Sequence, residues 1–261
     1  MKISFIGYGN MAKAIASGLK QQELYSLSAS APSLAEGVNK DQIHTHHDNK
    51  EIIKEAQIII LAVKPMKMSS VLNEITPILP PGCLLISIAA GLSLSWFAKH
   101  CRQNQAIIRT MPNTPASVGL SATPMIANEF TSTTQKKQAE LIFAQIGLTT
   151  WVENEEDMDT FTALSGSGPA YVFLFMEAMI DAAVALGLNE PIAKAFMLQT
   201  LNGALKLAQN SDLSLTQLRT KVTSPGGTTA AALAVLHEKL DTLILEAMKA
   251  AKQRAHELGA G

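Results

Sequence analysis

The sequence predicts an α/β protein, in which an N-terminal doubly wound parallel sheet is followed by an all-α domain. Up to residue 152, short runs of β-forming residues alternate with helical stretches, the pattern that builds parallel sheets through βαβ crossovers. From residue 153 onward, long stretches rich in Ala, Leu and Met take over. This change of composition predicts two domains, 1–152 and 153–261.

Short apolar segments predict the strands of the first domain. Several are apolar throughout, as strands buried on both faces of a sheet are. The predicted strands cover residues 2–6, 26–30, 58–63, 84–88, 107–109 and 149–152.

Three long helices are predicted in the second domain, at 169–186, 191–209 and 229–258, the last with a break near Asp241. The first of them is apolar almost all round, interrupted mainly by Glu177 and Asp181. Such a helix lies either in a domain core or between subunits. The apolar composition, 47% hydrophobic and 16% charged, favours the second alternative. We therefore expect a homo-oligomer that forms through the helical domain.

Charge and composition exclude several kinds of partner. The net charge is −1 and Lys and Arg do not cluster, so we expect neither nucleic acid nor a membrane surface as partner. The apolar run 58–63 is far shorter than the roughly 20 residues of a membrane span. The first residues lack the pattern of a signal peptide, which predicts a cytoplasmic location. The partner we expect is a small molecule.

The cysteines and histidines predict no metal centre. Cys83 and Cys101 have no CxxC spacing and no third partner, so we expect two packed, reduced thiols. The histidines at positions 44, 46 and 47 are near neighbours in the chain and cannot all converge on one ion.

A glycine-rich turn follows the first predicted strand and opens a helix. It has the G-x-G-x-x-A pattern in the strand–turn–helix context of dinucleotide-binding sites. The first glycine permits a tight turn, the second lets the backbone approach a pyrophosphate, and the alanine allows close helix packing. The phosphates would lie at the positive end of the helix. The pattern predicts a Rossmann domain whose cofactor contacts include Gly7, Tyr8, Gly9, Asn10 and Met11, followed by Ala12.

The end of the second strand indicates which dinucleotide binds. Proteins specific for NAD usually carry an Asp or Glu there, which would repel a 2′-phosphate. This chain has small residues and hydroxyls at 28–33 instead. We therefore expect NADPH to be preferred, with NADH possible, and Ser30, with Ser33, to lie near the phosphate. The alternative is that both serines only form a turn, since the usual Arg is missing.

Two further strand ends should face the cofactor, because ligands bind beyond the carboxyl ends of strands in open α/β sheets. Asn49, at the start of a helix, is either an N-cap or a contact on the adenine side. The residues predicted at the two strand ends are Ala62, Val63, Lys64 and Pro65 after one strand, and Ala89, Ala90 and Gly91 after another.

Three proline-containing segments are hard to explain as scaffold: 109–115 (RTMPNTP), 164–171 (LSGSGPAY) and 222–229 (VTSPGGTT). Placed before a helix, such segments expose N–H and hydroxyl donors that suit a carboxylate. Together with 5–11 (FIGYGNM) and 62–65 (AVKP), they occur in the order found in the pyrroline-5-carboxylate reductase family, which the whole chain closely resembles.

The resemblance implies a reaction and an assembly. The family reduces the imine Δ1-pyrroline-5-carboxylate to L-proline with NAD(P)H, the last step of proline biosynthesis. Its members assemble through the helical domain into dimers and often pentamers of dimers, which is a decamer.

The resemblance also implies roles for individual residues. Thr229 would be the catalytic residue, nearest the imine nitrogen, while Met111 and Asn113 would line the nicotinamide pocket. Glu155 would contribute to the substrate site or be a solvated carboxylate at a helix start. Lys221 departs from the family, which often has Asn there, and this leaves any contact from that position in doubt. The residues implied around the substrate are Ser224, Gly226, Gly227, Thr228, Thr229 and Glu155.

Two other functions compete with this interpretation. A β-hydroxyacid dehydrogenase needs a lysine base after its glycine-rich helix start, yet no Lys occurs between Glu153 and Ile192, and the comparable position holds Val172. A catalytically silent NADP sensor would have no need of the 224–229 turn, although the fold alone cannot separate a sensor from an enzyme.

Overall fold

Nine strands form one mixed sheet in the computed structural model, which describes residues 1–20 and 24–260. The strands are β1 Lys2–Ile6, β2 Ser26–Ser30, β3 Gly37–Val38, β4 His44–His46, β5 Ile58–Leu61, β6 Leu84–Ser87, β7 Ile107–Thr110, β8 Ser121–Ala127 and β9 Gly147–Trp151. Their order across the sheet is β3-β4-β2-β1-β5-β6-β7-β8-β9. The α/β architecture predicted from the sequence is confirmed.

The sheet is not purely parallel, and this corrects the prediction. β3 runs antiparallel to β4, and β8 runs antiparallel to β7, whereas the other neighbouring strands pair in parallel. β3, β4 and β8 were not predicted from the sequence. β3 and β4 are only two and three residues long. β8 contains Pro124 and small polar residues, which weaken a strand pattern.

Helices cover both faces of the sheet and fill the second half of the chain. They are α1 Asn10–Lys20, α2 Asn49–Ile53, α3 Pro65–Ile75, α4 Leu94–His100, α5 Thr133–Ala144, α6 Asp157–Phe161, α7 Gly168–Ala185, α8 Glu190–Gln209, α9 Leu215–Lys221, α10 Thr228–His237 and α11 Leu240–Ala260. A π-helical turn, Thr162–Gly166, precedes α7. The predicted break near Asp241 lies between α10 and α11.

Alternation along the central strands creates two cores, one on each face of the sheet. Ile58 and Ile60 of β5 belong to one core, while Ile59 and Leu61 belong to the other, and all are 0–1% exposed. α1 packs on the first core through one face, whose buried residues recur every three or four positions as the helical repeat requires. They are Ala12, Ile15, Ala16 and Leu19. Apolar burial at about 1.5–3 kcal/mol per large side chain fixes the strand ends that carry the candidate site.

The chain forms two compact units, Met1–Pro169 joined by the chain from Ala250 onward, and Ala170–Lys249. The predicted division after residue 152 follows the last strand. The sheet-containing unit extends further because Met158 and Ala163 are buried, each 1% exposed. Ala255, near the end of α11, is also buried, at 4% exposed.

Helix α7 presents apolar side chains to the outside of the single chain. Val172, Phe173, Leu174 and Phe175 are 43–66% exposed. By length and composition alone, the helical stretch Asp157–Ala185 could also cross a membrane. A single helix that meets these two criteria is weak evidence for a membrane span. The alternative that α7 is a core helix of its own chain is wrong, since no residue of it is buried.

Both cysteines are free thiols, and burial raises the pKa of Cys83 and of Cys101 to about 12, with a smaller opposing effect of the Arg102 charge. We expect neither to react with iodoacetamide at pH 8 in the native protein, and both to react in urea, because the thiolate is the nucleophile. The unfolded thiols ionise near the ordinary value of 9.0. Stability should therefore fall as pH rises from 9.0 towards about 12.

Mass spectrometry of alkylated protein and thermal unfolding at pH 8 and pH 10 measure the two effects. Rapid labelling of the folded protein at pH 8 would contradict the assignment of both side chains as packed thiols.

Candidate active site

The candidate cofactor site lies where the chain reverses direction across the sheet. β1 pairs with β2 on one side and β5 on the other, which makes its carboxyl end a topological switch point. Gly7 follows β1 with φ of 89°. Its N–H donates to the Ser30 carbonyl oxygen (2.8 Å), and a Cβ there would lie 2.7 Å from the Ala62 carbonyl oxygen. Only glycine fits between the ends of β2 and β5.

The turn continues into α1 with its backbone donors free of helical partners. The first intrahelical bond runs from the Lys13 N–H to the Gly9 carbonyl oxygen (2.9 Å), so the preceding N–H groups at Asn10, Met11 and Ala12 have none. A Cβ on Gly9 would meet no protein atom within 4 Å. This open backbone at a helix start suits a pyrophosphate.

The Tyr8 side chain belongs to the core rather than to the open face of the turn. It is 8% exposed, and its ring meets Phe5 edge-on with centroids 6.3 Å apart. Burial raises the pKa of the Tyr8 hydroxyl, against a lowering hydrogen bond with Asn39. Any cofactor contact at Tyr8 therefore comes from its backbone.

Ser30 and Asn49, predicted on the adenosine side, are joined by a hydrogen bond. The fully buried Ser30 Oγ donates to Asn49 Oδ1 (2.6 Å), and Asn49 Nδ2 donates to Glu74 Oε2 (2.9 Å). The N-cap of α2 is Asp48, whose carboxylate accepts from the Lys50 N–H, so the N-cap alternative for Asn49 is wrong. The single Ser30 proton is used within the chain, while Asn49 keeps a second amide N–H.

The loops after β5 and β6 start at the same edge of the sheet as the glycine turn. A Cβ added at Gly7 would meet the Ala62 backbone first and the Val63 side chain next. Lys64 is exposed at the N-cap of α3, and Pro65 occupies its first turn. In the second loop Ala89 is 6% exposed, Ala90 is half-buried, and Gly91 is buried with φ of 83°.

Met111 and Asn113 connect two of the motif segments. The Asn113 side chain donates to the Ser165 carbonyl oxygen (2.8 Å) and accepts from the Ser121 hydroxyl (3.1 Å) and the Ala122 N–H (2.9 Å). Met111 Cε lies 3.1 Å from the place of a Cβ on Gly166. The Asn113 amide therefore holds the segments 109–115 and 164–171 together, a role that the sequence analysis missed.

Glu155 lies in an ion-pair network whose other members the sequence analysis also missed. Arg109, with a side chain only 6% exposed, contacts Glu155 Oε1 (2.8 Å) and Asp159 (3.7 Å). The same Glu155 oxygen accepts from the Leu94 N–H at the start of α4 (2.7 Å). Glu155 is therefore not a solvated carboxylate. The sequence does contain one signal of this network, because Arg109 is a charged residue inside the apolar strand β7.

In the second unit, the 224–229 segment is a tight turn that opens α10. The Gly227 N–H donates to the Ser224 carbonyl oxygen (3.0 Å), and Gly226 has φ of 72°. A Cβ on Gly227 would collide with the Ser224 hydroxyl. The preceding helix α9 ends at Lys221, which is exposed.

The start of α10 presents unpaired donors. Its N-cap is Gly227, which has no capping side chain, and the first helical bond runs from the Ala231 N–H to the Gly227 carbonyl oxygen (3.2 Å). The N–H groups of the two preceding threonines and Ala230 thus lack helical partners. Thr228 is exposed and Thr229 half-buried beside them. Such a helix start suits a carboxylate.

No group of three or more His, Cys, Asp or Glu side chains suited to a metal occurs within residues 1–20 and 24–260. In the histidine segment, His46 Nδ1 accepts from the Asp48 N–H (2.9 Å), and its Nε2 lies 3.4 Å from the Glu36 carboxylate.

A glycine turn at the switch point of a largely parallel sheet, with a separate helical unit, defines the class of dinucleotide-dependent oxidoreductases with a Rossmann domain. Residues 2–91 match the family described as NADP oxidoreductase, coenzyme F420-dependent, and residues 155–258 match the family described as pyrroline-5-carboxylate reductase dimerisation.

Known proteins define the family more closely. The chain is 37% identical to pyrroline-5-carboxylate reductase of Pseudomonas aeruginosa, covering 98% of this chain and 96% of the relative. The Synechocystis enzyme of that name is 39% identical, covering 99% and 98%. The crystal structure of Plasmodium falciparum pyrroline carboxylate reductase with NADP bound has a TM-score of 0.90 at 35% identity, covering 99% and 98% of the two chains. The chain belongs to the pyrroline-5-carboxylate reductase family, which confirms the resemblance.

Proposed function

We propose that this chain reduces Δ1-pyrroline-5-carboxylate to L-proline with NADPH. The observation that carries the proposal is the pairing of two features in one chain of this family. One is the Gly7–Gly9 turn at the switch point of the sheet, and the other is the open helix start at Thr228 and Thr229. The first suits a dinucleotide and the second a carboxylate.

The cofactor is held by the first unit. The N–H groups from Asn10 to Ala12 bind the pyrophosphate, Ala62–Pro65 and Ala89–Gly91 frame the nicotinamide half, and Met111 packs beside it. On the adenosine side the Asn49 amide would bind the ribose through its second N–H, since its first N–H bonds Glu74 and its oxygen accepts the Ser30 proton. The neutral residues at the end of β2 support a preference for NADPH over NADH, because no carboxylate there repels a 2′-phosphate.

The substrate is held by the turn before α10. The N–H groups of Thr228, Thr229 and Ala230 bind the carboxylate, with the Ser224 hydroxyl beside them, and Gly226 and Gly227 give the turn its shape. The bound cofactor would supply a hydride to the imine carbon. The imine nitrogen becomes the secondary amine of proline and takes its proton from solvent before or during transfer, with the Thr229 hydroxyl positioned to donate a hydrogen bond. Orientation of the two reactants supplies most of the rate.

The functional division we propose is 1–152 for the cofactor and 153–261 for substrate and assembly. The apolar side chains of α7 lie within the 155–258 match to the dimerisation family, which supports a homo-oligomer through the helical unit. The dimer is the basic unit, with a decamer as the larger assembly. We place the reaction in the cytoplasm, where the two thiols stay reduced.

NADPH oxidation by the purified protein with Δ1-pyrroline-5-carboxylate tests the proposal. NADH is run beside it, and a 3-hydroxyacid with NADP⁺ serves as the competing reaction. Imine-dependent oxidation, faster with NADPH, supports the reductase. NADPH binding without turnover would support the sensor, and oxidation of the hydroxyacid would support the dehydrogenase.

Thr229→Ala should lower kcat about 10- to 100-fold and leave the Kd for NADPH unchanged, because it removes a hydroxyl beside the imine nitrogen but none of the cofactor contacts. Steady-state kinetics and a fluorescence titration of NADPH measure the two quantities.

Two variants control this experiment. Thr229→Ser keeps the hydroxyl and should keep most of the activity. Thr220→Ala removes an exposed hydroxyl that bonds the Thr216 carbonyl oxygen on α9, and should behave as wild type. Equal losses of turnover and NADPH binding in Thr229→Ala would place Thr229 outside the substrate site.

A further inference from the structure

The last turn of α11 lies against the loop that joins β6 to α4. A Cβ on Gly91 would lie 2.9 Å from the Leu258 carbonyl carbon and 3.0 Å from the Gly259 nitrogen. A Cβ on Gly259 would collide with the Gly91 carbonyl oxygen. Both glycines belong to the same compact unit. Two backbones therefore touch with no side chain between them, and the contact requires glycine on each side.

A chain of polar and charged side chains links the same two elements. His256 Nδ1 on α11 lies 3.5 Å from the Asp159 carboxylate, and Asp159 lies 3.7 Å from the Arg109 guanidinium. Arg109 then pairs with Glu155, whose oxygen accepts from the Leu94 N–H. The loop is thus held at Gly91 by the end of α11 and at Leu94 by Glu155.

A cavity of about 220 Å³ borders this contact and is lined by Gly91, Arg109, Glu155, Asp159 and His256, among others. The loop consequently has space on that side into which it can shift when the contact with α11 is changed. The backbone contact and the chain of polar contacts both hold the loop beside this cavity.

We propose that Gly259 is a positioning residue for the cofactor. It sets the place of the Ala89–Gly91 loop, although it follows that loop by more than 160 residues in the sequence. This inference rests on the proposed function in one respect, the assignment of Ala89–Gly91 to the nicotinamide half of NADPH. Gly259 acts through the loop and touches neither reactant.

Gly259→Ala tests the inference. The added methyl group displaces the Gly91 carbonyl, so we expect the Kd and KM for NADPH to rise about 5- to 20-fold, with the KM for the imine at saturating NADPH unchanged. Amide hydrogen exchange in residues 88–94 should become faster. Fluorescence titration, steady-state kinetics and exchange mass spectrometry supply the measurements.

Glu257→Ala is the matched control. Glu257 is exposed on the same helical turn, pairs with Arg254, and should leave all these quantities at wild-type values. If Gly259→Ala is insoluble, a chain ending at Glu257 removes both Leu258 and Gly259 from the contact without adding a methyl group, and the same direction of change is expected.

The outcomes separate this inference from the proposed function. Wild-type affinity for NADPH and wild-type exchange in Gly259→Ala would overturn the inference, as would an effect confined to the KM for the imine. If the wild-type protein binds NADPH but does not reduce the imine, weaker binding by Gly259→Ala still supports the inference while the proposed reaction fails. If the wild-type protein binds no NADPH, both fail.

Discussion

Gly7→Ala is expected to abolish NADPH binding and to lower the free energy of unfolding by about 2–5 kcal/mol. The positive φ at Gly7 strains any residue with a Cβ, which costs about 1–2 kcal/mol. The new methyl group would also lie 2.7 Å from the Ala62 carbonyl oxygen, a backbone atom that cannot turn away. Crowding of this kind costs about 1–3 kcal/mol. Because β1 and β5 would have to separate at this point, the α1 donors lose their alignment.

Gly9→Ala is the matched control, since it changes the other glycine of the same turn. No protein atom lies within 4 Å of a Cβ there, and its φ is not in the left-handed region, so we expect the stability to stay within about 0.5 kcal/mol of wild type. The methyl group would instead stand in the path of the pyrophosphate and weaken NADPH binding at least about ten-fold.

Urea unfolding and fluorescence titration of NADPH distinguish the two glycines. Gly7→Ala should lose both stability and binding, and Gly9→Ala only binding. Full NADPH affinity in Gly7→Ala, or a large loss of stability in Gly9→Ala, would show that the roles of the two glycines are wrongly assigned.

The parts of this fold that could be predicted from the sequence depend on neighbours in the chain. The strand, turn and helix around Gly7 occupy one continuous stretch, and so does the turn between Ser224 and Thr229. β8 was missed because its pairing with β7 depends on residues outside its own span, and because Pro124 weakens its strand pattern. The burial of β5 on both faces was predictable, since every residue of that strand is apolar.

The missed parts of the candidate site are contacts between residues far apart in the sequence. Arg109 and Glu155 are 46 residues apart, and Ser30 and Asn49 are 19 apart. The sequence shows which side chains can donate or accept a hydrogen bond, but not which of them the fold brings together. The serines at the end of β2 were therefore identified as donors, whereas the fold directs the Ser30 proton to Asn49.

Arg109→Met is expected to lower the free energy of unfolding by about 3 kcal/mol, the second large effect. Removing one member of a buried ion pair leaves a charge without its partner, which costs about 3–5 kcal/mol when burial is complete. Arg109 is almost fully buried, while the side chains of Glu155 and Asp159 are 29% and 15% exposed, so the lower end of that range applies. Arg109→Lys should recover only part of the loss, because an ammonium group lacks the planar fork of guanidinium.

The chain supplies its own control for this experiment in a second Arg–Glu pair. Arg254 and Glu257 contact each other at 2.9 Å on α11 with both side chains largely exposed, and Arg254→Met should leave stability unchanged within error. In the double variant Arg109→Met with Glu155→Gln, one of the unpaired carboxylates becomes neutral, so part of the stability should return. Urea denaturation of the wild type and the four variants measures these differences. Equal, small effects of the two arginine substitutions would mean that the Arg109 network does not stabilise the fold, and its hold on the loop at Leu94 would then rest on the Glu155 hydrogen bond alone.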